Sequence, residues 1–212
     1  LYVSNWGGRQ PEEGEPVYKT SGSDVLIDPE TGIANNGAIS VVDPEKKIQL
    51  KVIEVGLHPS GMALSPDKKL LYVACANSDQ ISVISTDNDE VIETISVHML
   101  DNIPFGSGPG DLTVSPDGKY LYVANGTENS ICVIKTGREA ENETEAEIAG
   151  SIPVGWYPGS VVLDKAGKTL FVANVKGTGS RNQRTDAKGY SSHDHMGSVS
   201  IIKVPDRREL RK

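Results

Sequence analysis

Gly108-Pro109-Gly110-Asp111-Leu112-Thr113-Val114-Ser115-Pro116-Asp117-Gly118-Lys119-Tyr120-Leu121-Tyr122-Val123-Ala124-Asn125, followed by Ser130-Ile131-Cys132-Val133-Ile134, decides the fold. Asp111 to Val114 is a short apolar run. Tyr120 to Ala124 and Ser130 to Ile134 are rich in aromatic and β-branched residues, which suits strands. Ser115-Pro116-Asp117-Gly118 separates the first two runs. Proline presets φ, aspartate bonds its own backbone and glycine accepts the exit geometry, so a tight hairpin is predicted there. Asn125 to Asn129 makes a second turn.

The same unit recurs along the chain. Pro59, Pro109 and Pro158 each follow a glycine closely and precede an apolar run, at spacings of 50 and 49 residues (109 − 59, 158 − 109). Leu64-Ser65-Pro66-Asp67 matches Val114-Ser115-Pro116-Asp117, and the third copy, Leu163 to Lys168, keeps only Gly-Lys. Leu71-Tyr72-Val73-Ala74, Leu121-Tyr122-Val123-Ala124, Leu170-Phe171-Val172-Ala173 and the opening Leu1-Tyr2-Val3-Ser4 align. Behind them stand Ile39 to Val42, Ile81 to Ile84, Ile131 to Ile134 and Val199 to Ile202. A fourth strand type, Lys51–Val55, Val91–Ile95 and Ile148–Val154, lies between units and is assigned as the opening, channel-lining strand of each. The units then span residues 49–86, 91–136 and 149–204. Four-stranded units of this period bury both faces by radial stacking, so the fold class is all-β, a β-propeller of four-stranded antiparallel blades. A parallel β-helix has much shorter repeats, and a sandwich lacks such self-similarity.

Leu-Tyr-Val-Ala-Asn, with Ser-Pro-Asp-Gly-Lys before it and Ser-Val-Ile after it, resembles the YVTN-type, YncE-like β-propeller repeat across nearly the whole chain. Ser4-Asn5-Trp6-Gly7-Gly8-Arg9, Asp28-Pro29-Glu30-Thr31-Gly32-Ile33 and Gly155-Trp156-Tyr157-Pro158 resemble something narrower. They are similar to the amino-terminal propeller of bacterial proteins that also carry an alkaline-phosphatase-like phosphoesterase domain. That resemblance implies a non-catalytic module of a larger extracytoplasmic protein, with a phosphoesterase domain elsewhere in the same chain. No residue here matches that enzyme's nucleophile or metal ligands.

Residues 1–204 are assigned to one propeller domain and 205–212 to a linker or the entry to a following helix. The chain opens inside a blade at Leu1, so it is expected to cover about three and a half blades of a seven-bladed propeller, which needs roughly 350 residues. Open edges on such a piece would invite self-association or cover by missing segments. The net charge of −8 argues against nucleic-acid binding, which needs a basic face. No apolar run reaches the ~20 residues of a membrane helix, and no signal peptide is visible.

Two insertions, 6–36 and 176–196, fall at equivalent places. From Asn5 to Ile39 is 34 residues and from Asn174 to Val199 is 25, against 6 in the plain copies. They are predicted to share a face with the loops Gly56–Pro59, Gly106–Pro109 and Gly155–Pro158, which are expected to ring the channel mouth. Long loops on a rigid scaffold are where function concentrates. On that face His58, Trp156, Tyr157, Trp6 and Arg9 are the candidate ligand-binding residues. They could instead pack the rim, and Arg9, Arg181 and Arg184 could pair with Glu12 to Glu15. His193-Asp194-His195, with Asp186 or His58, has the spacing of a weak metal site, against a solvated loop. Cys75 and Cys132 stand at different repeat positions and are predicted to be free buried thiols. The acidic run Gly137 to Glu147 reads as a solvated connection. The Asn125 and Asn142 sequons are discounted because the resemblance is bacterial.

These residues assign no catalytic group, no metal and no cofactor. There is no phosphate loop, nucleophile elbow or Cys-x-x-Cys-His haem motif. The first functional reading is a binding or interaction module for a protein domain or surface ligand on the insertion-bearing face. The alternatives are a propeller enzyme in its own right, lactonase-like or a metal-dependent hydrolase, and a structural surface-layer repeat.

Overall fold

The computed structural model describes residues 1–20, 22–99, 106–139, 142–143, 145–177, 195–206 and 208–210. Contacts divide the chain into two compact units, Leu1–Ser96 and Val97–Lys212. Among the described residues all regular structure is strand or turn.

The first unit contains β1 (Tyr2–Asn5), β2 (Val17–Thr20), β3 (Ser23–Leu26), β4 (Gly37–Asp43), β5 (Ile48–Val55), β6 (Pro59–Leu64), β7 (Leu70–Cys75), β8 (Gln80–Ser85) and β9 (Glu90–Ser96). They form a sheet of order β1-β4-β5, a sheet of order β6-β7-β8-β9 and the hairpin β2-β3. The second unit contains β10 (Pro109–Val114), β11 (Tyr120–Asn125), β12 (Ser130–Lys135), β13 (Arg138–Glu139), β14 (Asn142–Glu143), β15 (Glu147–Pro153), β16 (Pro158–Leu163), β17 (Thr169–Asn174) and β18 (Ser198–Lys203). Its sheets run β10-β11-β12-β15 and β16-β17-β18, with β13-β14 as a small hairpin. Every pairing is antiparallel, as propeller blades require.

The blade boundaries differ from the sequence expectation by one strand. Lys51–Val55, Val91–Ile95 and Ile148–Val154 do not open a blade. They lie in β5, β9 and, up to Pro153, β15, each the last strand of the preceding sheet. The reason is local. Asp43 Oδ1 accepts the N–H groups of Glu45 and Lys46 (3.0 and 3.1 Å), and Lys47 takes φ 55°, so a tight turn folds β5 straight back onto β4. At Gly56-Leu57-His58 the chain leaves the ladder instead and enters β6 of the next sheet. The three loops are therefore crossovers between blades, not connections within one.

The hairpin turns show why the repeat tolerates sequence change. Leu70 N–H donates to Ser65 Oγ (3.0 Å), whose hydroxyl donates to Asp67 Oδ1 (2.6 Å). Lys69 N–H donates to the same carboxylate (3.1 Å), and these donors hold Asp67 below the usual carboxylate range, the Ser65 hydroxyl foremost. Ser115, Asp117 and Lys119 repeat the pattern. The third copy lacks Ser-Pro, yet Asp164 Oδ1 accepts both Lys168 N–H (2.6 Å) and Thr169 N–H (3.2 Å), one carboxylate replacing the pair.

Neighbouring blades pack through apolar faces within each unit. In the first, Ile39, Val41 and Ile53 meet Leu71, Val73, Cys75 and Ile84. In the second, Tyr122, Ala124, Ile131 and Val133 meet Val161, Leu170 and Val172. Each fully buried aliphatic side chain contributes about 1.5–3 kcal/mol. Polar ties add direction: Tyr2 Oη donates to Asp89 Oδ1 (2.6 Å), and Ser160 Oγ and Val161 N–H donate to Asp111 Oδ2 (2.7 and 3.0 Å). Burial and the Asp89 carboxylate push the Tyr2 hydroxyl up to about 12.

The residue that ends the Tyr-Val-Ala-Asn strand is buried in three copies and half-buried at Asn5, and it reaches across to the next strand in three blades. Asn5 Nδ2 donates to Ser40 Oγ (2.7 Å), and Asn174 Nδ2 to Ser200 Oγ (2.9 Å). Cys75 faces Ser82 Oγ at 3.6 Å in the same place. Cys132 occupies the serine's place in the blade that begins at β10. Both cysteines are free and buried, as the sequence predicts.

The first insertion is a folded lobe. Beyond the β2-β3 hairpin, an isolated bridge joins Ile27 to Ala34, and Val25 and Leu26 are buried. At the other end of the chain, Asp206 Oδ1 accepts Glu209 N–H (3.0 Å) and Glu209 Oε2 accepts Asp206 N–H (2.8 Å). This reciprocal pair has the geometry of a capping box. Among the described residues no helix is long and apolar enough to cross a membrane.

Candidate functional site

The crossover between blades has the same backbone three times. Leu57 O and His58 O accept the N–H groups of Asn77 and Ala76 (3.1 Å each). Ser107 O and Gly108 O accept those of Thr127 (3.2 Å) and Gly126 (3.0 Å), and Trp156 O and Tyr157 O those of Lys176 (3.0 Å) and Val175 (2.9 Å). The crossover is thus riveted to the turn after the second strand of the next blade, the place where the second insertion arises in the last copy. His58, Gly108 and Tyr157 hold one position in it, and all are left-handed, with φ of 54°, 62° and 57°. Glycine takes that conformation freely, whereas another residue there costs of order 1–3 kcal/mol. Gly108 and His58 both lead into blades with a short turn after the second strand, whereas Tyr157 leads into the blade that carries the second insertion. The histidine and the tyrosine are side chains equipped for chemistry and recognition.

In the first unit the His58 ring lies 5.5 Å from the Trp6 ring, centroid to centroid, with the planes tilted by 53°. Trp6 belongs to the insertion, so crossover and insertion meet there, as the sequence places them. Its indole remains half-exposed at 52%. Arg9 is held by acids: Nη2 and Nη1 contact Glu15 Oε1 and Oε2 at 2.6 and 2.9 Å, and Nε lies 3.5 Å from Glu54 Oε1. The Arg9 hydrogen bond, with the Glu12 N–H, holds the Glu15 carboxyl down at about 2. Of the two readings open for Arg9, pairing with the acidic stretch is the observed arrangement. Its guanidinium anchors the lobe.

In the second unit Tyr157 N–H donates to Asn129 Oδ1 (2.9 Å), and Lys176 Nζ stands 4.8 Å over the Tyr157 ring. Trp156 and Tyr157 remain exposed at 46% and 41%. Lys176, Asn129 and Asp111 enter this region without having been singled out in the sequence. Their signal was available for Asp111 alone, a carboxylate where the other copies have Gly61 and Ser160. Arg181, Arg184, Asp186, His193 and Asp194 lie outside the described residues. His195 is half-buried near the start of β18. Among the described residues no three His, Cys, Asp or Glu side chains converge as a metal site would require.

Comparison with known proteins gives the fold a family. A family model described as lactonase, 7-bladed beta-propeller, matches residues 59–181, more than half of the chain. No curated protein matches. Among solved structures, hydrazine synthase of Kuenenia stuttgartiensis is 27% identical with a TM-score of 0.58, over 80% of this chain and 43% of that one. A protein of Bacteroides uniformis assigned as a 6-phosphogluconolactonase is 23% identical with a TM-score of 0.56, over 82% of this chain and 50% of that one. A protein of Lactobacillus plantarum is 20% identical with a TM-score of 0.56, over 81% and 52%. The chain therefore spans about half or less of each of these solved chains.

Proposed function

Because the chain belongs to the lactonase family of seven-bladed β-propellers, we propose that these blades form part of an enzyme hydrolysing the lactone of a sugar acid. The family match carries this reading, and the 6-phosphogluconolactonase assignment of the Bacteroides uniformis neighbour suggests the substrate class. Water adds to the lactone carbonyl, the ring C–O bond breaks, and one proton is released as the carboxylate forms. A histidine is suited to accept the proton of the attacking water near neutral pH. His58 is the candidate, held at a fixed point of a rigid loop and braced by Trp6. The crossover of the second unit, taken by itself, offers a hydroxyl on Tyr157 and a cation on Lys176, groups suited to a polyhydroxylated acid or its phosphate.

The purified protein is expected to hydrolyse 6-phosphogluconolactone faster than it opens spontaneously, measured as acid release at constant pH. A rate equal to the spontaneous one overturns the reading.

Exposed aromatic side chains, Trp6 in the first unit and Trp156 with Tyr157 in the second, favour a second reading, non-catalytic contact with a partner domain or surface polysaccharide. This is the role implied by the resemblance to extracytoplasmic, phosphoesterase-associated propellers. Saturable binding of the lactone's open acid without turnover would select it.

A further inference from the structure

The first insertion carries a half-open cleft of its own, beside the crossover, with which it shares Trp6. It holds about 330 Å³ and lies between the Trp6–Gln10 strap and the β2-β3 hairpin. Its walls include Trp6, Arg9, Gln10, Thr20, Ser23 and Asp24. The lobe is built to hold this shape. Val25 at its base is buried, Arg9 N–H donates to Asn36 Oδ1 (2.7 Å), and the Arg9–Glu15 pair clamps the strap.

The chemistry of the walls selects the occupant. The one cation, Arg9, is engaged by Glu15 and Glu54, which disfavours an anion. The one carboxylate not tied into the clamp is Asp24, too little to select a dication. Amide, hydroxyl and carboxylate groups dominate beside a single indole. Such a set fits a neutral polyhydroxylated ring, whose C–H face lies on an indole while its hydroxyls bond carboxylate and amide. We propose that this cavity is a binding site for a neutral pyranose unit, with Trp6 as the stacking platform and Asp24 and Gln10 as the hydroxyl partners.

This inference does not rest on lactone hydrolysis. The chain has two tryptophans, so in the Trp156→Phe protein all indole emission comes from Trp6. Methyl glucoside, methyl galactoside and methyl mannoside are titrated into that protein. A saturable change in Trp6 emission with at least one is expected. Asp24→Ala and Gln10→Ala in the same background should each weaken it about tenfold, the loss of one hydrogen bond of about 1.4 kcal/mol. Both residues are exposed, so these variants keep the fold. No saturable change with any of the three glycosides overturns the proposal, as do unaltered affinities in both variants. Binding without lactone turnover leaves the cavity assignment standing and removes only the reaction; turnover without binding does the reverse.

Discussion

His58, Gly108 and Tyr157 share one backbone conformation, and only the glycine adopts it without cost. His58→Gly relieves of order 1 kcal/mol of strain and loses a ring contact of about 0.5–1 kcal/mol with Trp6. Its urea midpoint is therefore expected to stay close to that of the parent, whereas any chemistry at His58 is lost. A large fall in stability would show that His58 is there for packing. At the Arg9–Glu15 clamp, the folded carboxyl near 2 lies below its ordinary value of 4.5. The ionised pair stabilises the lobe fully above the ordinary value and is lost as pH falls through about 2. Amide protection in residues 8–15, measured against the intrinsic exchange rate at each pH, should hold above pH 4.5 and fall progressively towards pH 2; a loss already complete at pH 5 would contradict the clamp. Burial pushes the Cys132 thiol up to about 12 and raises that of Cys75, so both should resist thiol reagents until the protein unfolds. The cysteines were legible in the sequence because their repeat positions differ. The left-handed position was not, because a turn that accepts glycine or histidine alike has no residue pattern.

The strands and their hairpins were legible because alternating apolar runs and Ser-Pro-Asp-Gly turns act locally. The owner of β5, β9 and β15 was not. A strand flanked by two short connections can pair backwards or forwards, and only the turn hydrogen bonds around Asp43 and the crossover at His58 decide. The insertion's hairpin was hidden by its mixed composition. Removing one hydroxyl tests the turn account: Ser115→Ala loses the bonds to Tyr120 N–H and Asp117 and should cost about 1 kcal/mol in urea unfolding. Gly37→Ala should cost more, because a methyl group there would sit 2.0 Å from the Gly56 carbonyl oxygen. A stability equal to the parent's in either variant would contradict the role assigned to these elements.

Among the blades, the period-two pattern means different things in different places. Val133 is fully buried, whereas Ile201, at the matching position of β18, is 70% exposed. Val133→Lys should unfold this chain, since burying an unpaired charge costs several kcal/mol, and Ile201→Lys should change its stability by no more than about 0.5 kcal/mol. The repeat made the architecture readable and left the activity unread, since a propeller scaffold hosts many functions. The family match and the His58 crossover together supply the lactone reading. The most direct test compares acid release from 6-phosphogluconolactone by the parent protein and by His58→Gly, with urea midpoints measured alongside. The account predicts turnover above the spontaneous rate in the parent, a loss of about 100-fold or more in the variant, and near-equal midpoints. No turnover in the parent, or equal turnover in both proteins, would contradict it.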